Sequence, residues 1–384
     1  MNLKTKLIAS IMSLCLVCAV FAIGVFALKT ANLKIGGDVS FTATGVEATI
    51  AKTGVTANAV ENESGHFKTV TIDTTQTQSQ IDASQNAVSW SGLNITLGDS
   101  GRAELEVSIT NNADKTTEAD NYIEVDYSVD LGTAKNAKIS ISPKTKTVNS
   151  VEHVSDYIIA PGETDYFTIA FVAKDIDVDA SLEDFSFNLV LNHIVPAVLE
   201  TTDSTNYYYQ DINYFINTTT HVATVNGYKN SPKNVVIPAV VKVKTAQTEV
   251  NYIVEQMGNA FQGYETLESI VLPNSVKVIQ DLVFPGCVNL STVILGKGLT
   301  RIGSWAFADC AITSIVIPEG VVYIGSEAFD KDLTSAEFKE TKGWVAGTLE
   351  AAEGPEIVLS ETDFEENAKA RTITYYSDYW YRVA

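Results

Sequence analysis

Apolar residues return along the C-terminal half of the chain at a fixed interval. Phe261, Phe284, Phe307 and Phe329 stand 23, 23 and 22 residues apart. Between them an apolar framework keeps register: Ile270/Leu272, Val293/Ile294/Leu295 and Ile315/Ile317, then Val276, Leu299 and Val321, then Ile279, Ile302 and Ile324. Self-similarity at such a period means stacked units, and few folds other than a solenoid produce it. Around Ile270 the residues alternate, which reads as a short strand sending Leu267, Ile270 and Leu272 inward and Ser269 and Val271 outward; the same reading applies to each rung. Pro273 and Pro318 end their strands without needing a ladder donor, and Ile302-Gly303 and Ile324-Gly325 read as tight turns before an Ala-Phe knob. Gly296 and Gln280 break the pattern at two of these places. Four to five rungs at about 4.8 Å each predict a sheet only about 20 Å long.

The first half is patterned differently. Val39 to Ile50, His66 to Ile72, Leu93 to Leu97, Ala103 to Thr110, Tyr122 to Val129, Lys138 to Ser142, Tyr166 to Ala173 and Phe185 to His193 read as strands, with turns at Gly98 to Gly101, Asn111 to Asp114 and Pro161 to Glu163. Glu104 to Thr110 alternates cleanly, and no helical period emerges. An Ig-like β-sandwich is the expected solution. Leu7 to Leu28 carries no charge and follows Lys4 and Lys6, so residues 1–31 read as an export signal or a membrane anchor, with Val25-Phe26-Ala27 as a small-residue cleavage site. About 20 apolar residues suffice to span a bilayer, so cleavage stays open, and in either case the basic N-terminus places the rest outside the cytoplasm. Leu14 and Val17 precede Cys15 and Cys18 where a lipoprotein box wants a small residue. On this sequence only residues 7–28 would hold the protein to a cell, since no sorting motif or apolar tail follows Arg382. Pro196 to Tyr207 is polar enough for a linker. The chain therefore divides into 1–31, a β-sandwich over 32–200 and a repeat domain over 201–384.

Three consecutive units carry a family resemblance. Leu267 to Cys287 (LESIVLPNSVKVIQDLVFPGC), Leu290 to Cys310 (LSTVILGKGLTRIGSWAFADC) and Ile312 to Asp332 (ITSIVIPEGVVYIGSEAFDKD) resemble the BspA-type leucine-rich repeats of cell-surface proteins. A degenerate unit at Val235-Val236-Ile237-Pro238 precedes them and a truncated one at Leu333 to Phe338 follows. The resemblance implies an entry segment over Tyr214 to Ile237 and an aromatic closing segment over Gly343-Trp344 and Asn367 to Arg382. It also implies adhesion to host or extracellular-matrix proteins, or to other bacteria. Gly36 to Ala43, following the apolar stretch, is similar to exported bacterial proteins of the camelysin and TasA kind, which implies a bacterial origin and a matrix-fibre subunit or surface protein.

Charge narrows the partners. The formal net charge is −21, and it sits in the first half, where Asn32 to Asp203 holds 26 acidic against 10 basic residues. Nucleic acid is a poor partner for such a surface, which reads as solvation. Cys287 and Cys310 occupy equivalent places in adjacent rungs, within disulfide reach, and read as free buried thiols. Asp175, Asp177 and Asp179 alternate onto one face and form a weak calcium candidate, but without the glycine and glutamate of an EF-hand loop. Gly98-Asp99-Ser100-Gly101 reads as a turn rather than a nucleophile loop, and His66, His153, His193 and His221 stand isolated, with no zinc motif. No nucleophile, metal set or phosphate loop is present, and no cofactor is expected. The expectation is a non-enzymatic cell-surface or secreted protein-binding module. Its candidate face is the outward set Ser269, Val271, Thr292, Ile294, Ser314, Val316, Ser335 and Glu337, in which Val271, Ile294 and Val316 form an apolar stripe. The alternative is a structural matrix or fibre subunit assembled through the sandwich. The oligomeric state stays open.

Overall fold

The computed structural model describes the chain from Thr30 onward, except residues 35–38, 44–45, 59–70, 74–77, 83–86, 92–93, 99–101, 131–136, 149–150, 174–179, 183–185, 202–206, 231, 246, 342, 348–356, 360–362, 371–377 and 384. The protein is mainly β, and the one helix among the described residues is Phe364–Lys369. Residues 7–28, His66, Asp99 to Gly101 and the aspartates at 175, 177 and 179 lie outside the described residues.

In the first half, strand alternation builds two large antiparallel sheets, beside two small ones made by Thr145–Val148 with Val151–Val154 and by Asn94–Gly98 with Ala180–Leu182 and Thr71–Asp73. One large sheet contains Tyr122–Asp130 between Ser186–Ile194 and Ile158–Ile159. The other runs Ala137–Pro143, Thr164–Ala173, Arg102–Asn111, Val46–Asn58 and Val39–Ala43. Ile123, Val125, Leu189 and Leu191 of the first sheet and Val107, Ile109, Phe167 and Ile169 of the second are buried. Val39 to Ile50, expected as one strand, is two: Val39–Ala43 and Val46–Asn58 pair antiparallel on either side of Thr44-Gly45.

Six strands between the two halves close into a ring that the repeat pattern did not announce. Ala197–Thr201, Tyr207–Tyr209, Ile212–Asn217 and Val222–Tyr228 pair antiparallel in sequence order. Val222–Tyr228 then pairs in parallel with Glu249–Met257, which pairs antiparallel with Val240–Lys244, which returns in parallel to Ala197–Thr201. Leu199, Ile212, Tyr214, Val225, Val241 and Val254 fill it. The stretch expected as a linker, Pro196 to Tyr207, thus holds a strand, because Leu199 is buried in this core.

Glu249–Met257 is shared. Its last residues, Gln256 and Met257, pair in parallel with Val278–Ile279, and the ladder continues through Arg301–Ile302 to Tyr323–Ile324. We call this the back sheet. Across the core lie the front strands Asn234–Val236, Ser269–Val271 and Thr292–Ile294, all parallel, followed by the parallel pair Ser314–Ile317 and Ser335–Phe338. Between the two sheets the phenylalanines stack with ring centroids 5.1, 5.1 and 5.4 Å apart from Phe261 through Phe284 and Phe307 to Phe329. The stack is closed by Tyr379–Arg382, which runs antiparallel to Tyr323–Ile324, and by buried Trp344 and Trp380 packed on Phe338. The closing segment is not aromatic strand alone. Asp363 caps the helix Phe364–Lys369 by accepting from the Glu366 amide at 3.0 Å, and Asn367 docks the helix on the last front strand by donating to the Ala336 carbonyl at 3.1 Å.

The glycines serve a different purpose from the one expected. Left-handed backbone recurs at Leu282, Trp305 and Glu327, whose φ values are 57°, 58° and 53°, so these residues make the turn before the Phe. Gly303 and Gly325 instead admit the neighbouring rung: a Cβ on Gly325 would lie 2.3 Å from the Ser304 amide nitrogen, and one on Gly303 would lie 2.4 Å from the Gln280 carbonyl carbon. Gly325→Ala must push two rungs apart and is expected to cost about 1–3 kcal/mol. An unchanged melting temperature for that variant would refute the close-approach account.

Candidate functional site

Alternation along each front strand decides what reaches the surface. Leu267, Ile270 and Leu272 are buried, as are Ile312, Ile315 and Ile317, and Leu333, Ala336 and Phe338. The second full rung is looser, with Val293 and Leu295 only half-buried where Gly296 replaces the strand-ending proline. The residues between them point out.

Parallel pairing with no offset turns these outward residues into two rows. Val236 lies opposite Val271, which lies opposite Ile294; Asn234, Ser269 and Thr292 form the row beside them. On the next two strands Val316 faces Glu337 and Ser314 faces Ser335. Val236 and Val316 are 60% and 42% exposed, while Val271 and Ile294 between them are half-buried, so the apolar row is open to solvent along its length. The hydroxyl row is internally satisfied at one end, where Ser269 Oγ donates to Asn234 Oδ1 at 2.7 Å. Charge bounds the face: Lys233 pairs with Glu268 at 2.7 Å, and Glu337 pairs with Lys339. The eight residues expected from the sequence thus occupy outward positions of two adjacent ladders, four on each. Asn234 and Val236 extend the first ladder by a rung, and Val235-Val236-Ile237-Pro238 was the signal for them.

First-half residues meet the repeat half away from this face: Ile158 packs with Ala239 and Val240 where the ring strand Val240–Lys244 begins. Beside Val236 a cavity of about 60 Å³ is lined by Tyr209, Gln210, Ile212, Pro232, Asn234 and Val235. Drug-sized ligands fill roughly 300–1,000 Å³, so this recess holds no more than a side-chain tip or solvent. Cys287 and Cys310 are buried and free, their thiols donating to the Phe261 and Phe284 carbonyls at 3.0 and 3.2 Å. The neighbouring Cys287 side chain and burial together push the Cys310 thiol up. His193 lies 3.3 Å from Asn121 and is lowered by burial, and His221 stacks on Tyr252. Among the described residues no group of three or more His, Cys, Asp or Glu side chains is placed to hold a metal ion. No helix there is long and apolar enough to cross a membrane.

Residues 257–343 match the family model described as BspA type leucine rich repeat region, in 6 copies. Three solved structures illustrate the similarity. A leucine-rich repeat protein from Bacteroides capillosus is 25% identical with a TM-score of 0.32, over 35% of this chain and 99% of that one. The pneumococcal vaccine antigen PcpA is 25% identical with a TM-score of 0.30, over 36% of this chain and 39% of that one. A leucine rich cell surface protein from Faecalibacterium prausnitzii is 18% identical with a TM-score of 0.19, over 38% of this chain and 57% of that one. The chain thus spans less than two thirds of the length of the last two. No curated protein matches it significantly. BspA-type repeats suggest a protein-binding surface protein.

Proposed function

We propose that the chain is a non-enzymatic bacterial protein of the cell surface or exterior, in which an Ig-like β-sandwich carries a short solenoid of BspA-type repeats that adheres to extracellular-matrix or other cell-surface proteins. The division is 1–31 as signal or anchor, 32–200 as sandwich and 201–384 as repeat domain. The observation that supports it best is the front face, where Val236, Val271, Ile294 and Val316 form a solvent-open apolar row beside a row of Asn, Ser and Thr. A β-branched row rimmed by small hydroxyls is dry at its centre and able to hydrogen-bond at its margin, as protein interfaces are. The binding residues are Ser269, Val271, Thr292, Ile294, Ser314, Val316, Ser335 and Glu337, extended to Asn234 and Val236. The test is equilibrium binding of the purified chain to a panel of extracellular-matrix and bacterial surface proteins. Capture of one or more through the front face supports adhesion, and a panel with no binder removes it.

A second reading, a matrix or fibre subunit assembled through the sandwich, draws on Thr30–Lys34 and Val39–Ala43, each the last strand at one edge of its sheet among the described residues. Open strand edges are templates for strand addition. Light scattering and negative-stain microscopy over a concentration series separate the readings. Fibres would favour assembly, and monodisperse particles would favour display.

A further inference from the structure

One repeat position carries a different polar residue in each rung. The residue after the strand-ending Pro273, Gly296 or Pro318 is Asn274, Lys297 and Glu319 in three successive rungs. All three are met by the first half of the chain. The Asn274 amide donates to Glu124 Oε1 at 3.1 Å, and its side chain donates to the Val125 carbonyl at 3.3 Å. Lys297 pairs with Asp126, donates to the Tyr127 carbonyl at 2.6 Å and lies over the Tyr127 ring. Glu319 receives Lys138 at 3.3 Å.

Their placement follows from alternation. Ile123 and Val125 of the strand Tyr122–Asp130 are buried on the sheet's inner side, so Glu124 and Asp126 point to the other side. Two residues of strand advance about 6.6 Å, near enough to the roughly 4.8 Å rung spacing for Glu124 and Asp126 to meet consecutive rungs. Gly298 holds the second key close to the first, since a Cβ there would lie 2.1 Å from the Asn274 carbonyl oxygen.

We infer that position 274/297/319 is a register key, by which the turn edge of the repeats recognises the outward face of Tyr122–Asp130 and Lys138 on the edge strand of the other sheet, making the sandwich the built-in partner of the array. This rests on the two-unit division above and goes beyond the front-face reading. The charged pair carries the register: Lys297 meets Asp126 and Glu319 meets Lys138, so a slip of one rung sets like charge against like or leaves a key unmet, while Asn274 adds a main-chain amide on Glu124 and a side-chain amide on the Val125 carbonyl. Lys277, which pairs with Asp156 at 2.7 Å, and Lys242, which pairs with Asp120, add the same sense of charge along the edge. A single half-exposed pair contributes little, so the specificity lies in the set.

The test uses the full chain and amide hydrogen exchange. K297E is expected to raise exchange across residues 122–127 and 296–300 by about tenfold, with residues 283–287 and 306–308 unchanged as evidence that the stack is folded. The charge swap D126K/K297E should restore protection. K297E/E319K keeps composition and net charge but sets a glutamate against Asp126 and a lysine against Lys138, and should loosen the edge as K297E does. Protection that survives K297E/E319K, or a D126K/K297E swap that fails to restore it, would overturn the inference.

Discussion

Phe307→Ala is expected to destabilise the repeats by about 3–5 kcal/mol, the range for deleting a fully buried aromatic ring. Phe307 is fully buried, with Phe284 5.1 Å away on one side and Phe329 5.4 Å away on the other. Neither neighbour can close the gap, because each is itself a rung of the stack held by parallel ladders in both sheets. Against a total stability of about 5–15 kcal/mol for a typical domain, that loss separates a folded from a partly unfolded array at moderate denaturant. Urea titration followed by tryptophan fluorescence reads it, since Trp344 and Trp380 are buried at the closing end. A loss below about 1 kcal/mol would mean that the rings do not form a packed column.

The largest functional effect is expected from replacing Val271, Ile294 and Val316 together by lysine. All three side chains point outward, so the long lysine stems can lie along the surface with their charges in water. Repulsion between like charges one or two rungs apart is of the order of 1 kcal/mol per neighbouring pair in water, so the fold is retained. An apolar interface centre, by contrast, loses several kcal/mol when three neighbouring anchors become charged, and binding to any partner captured by the front face should fall at least about a hundredfold. Val322→Lys serves as control, because Val322 is 41% exposed beside the back strand Tyr323–Ile324. Unchanged affinity in the triple variant, or loss of its cooperative melt, would sink the assignment of this face.

The array was legible because its information is local. Each rung repeats the same inward residues within a step of 22 or 23, and the alternation that buries Ile270 and Ile315 also exposes Val271 and Val316. The six-stranded ring was not legible, since its closure depends on Ala197–Thr201 lying parallel to Val240–Lys244, a pairing fixed by tertiary packing of Leu199 and Val241. The helix Phe364–Lys369 carried its own signal in Asp363 and Glu366, a cap and a first-turn acid, but the aromatic residues around it marked the segment only as a closing cap. Gly303 and Gly325 were read one at a time, as turns. Their reason appears only when the preceding rung is placed against them.

The recurrence of left-handed residues at Leu282, Trp305 and Glu327, with Gly303 and Gly325 seated on the rung before, also sets how such a chain changes length over generations. A gain or loss of a few residues between back strand and Phe would move a corner off its conformation and a side chain into a neighbouring backbone, whereas the one-residue shortening between Cys310 and Ile312 leaves the corner at Glu327 in place. Duplication or excision of a whole turn of the spiral leaves every corner in place, so the array changes by copies of itself, between the ring at one end and the tryptophans at the other.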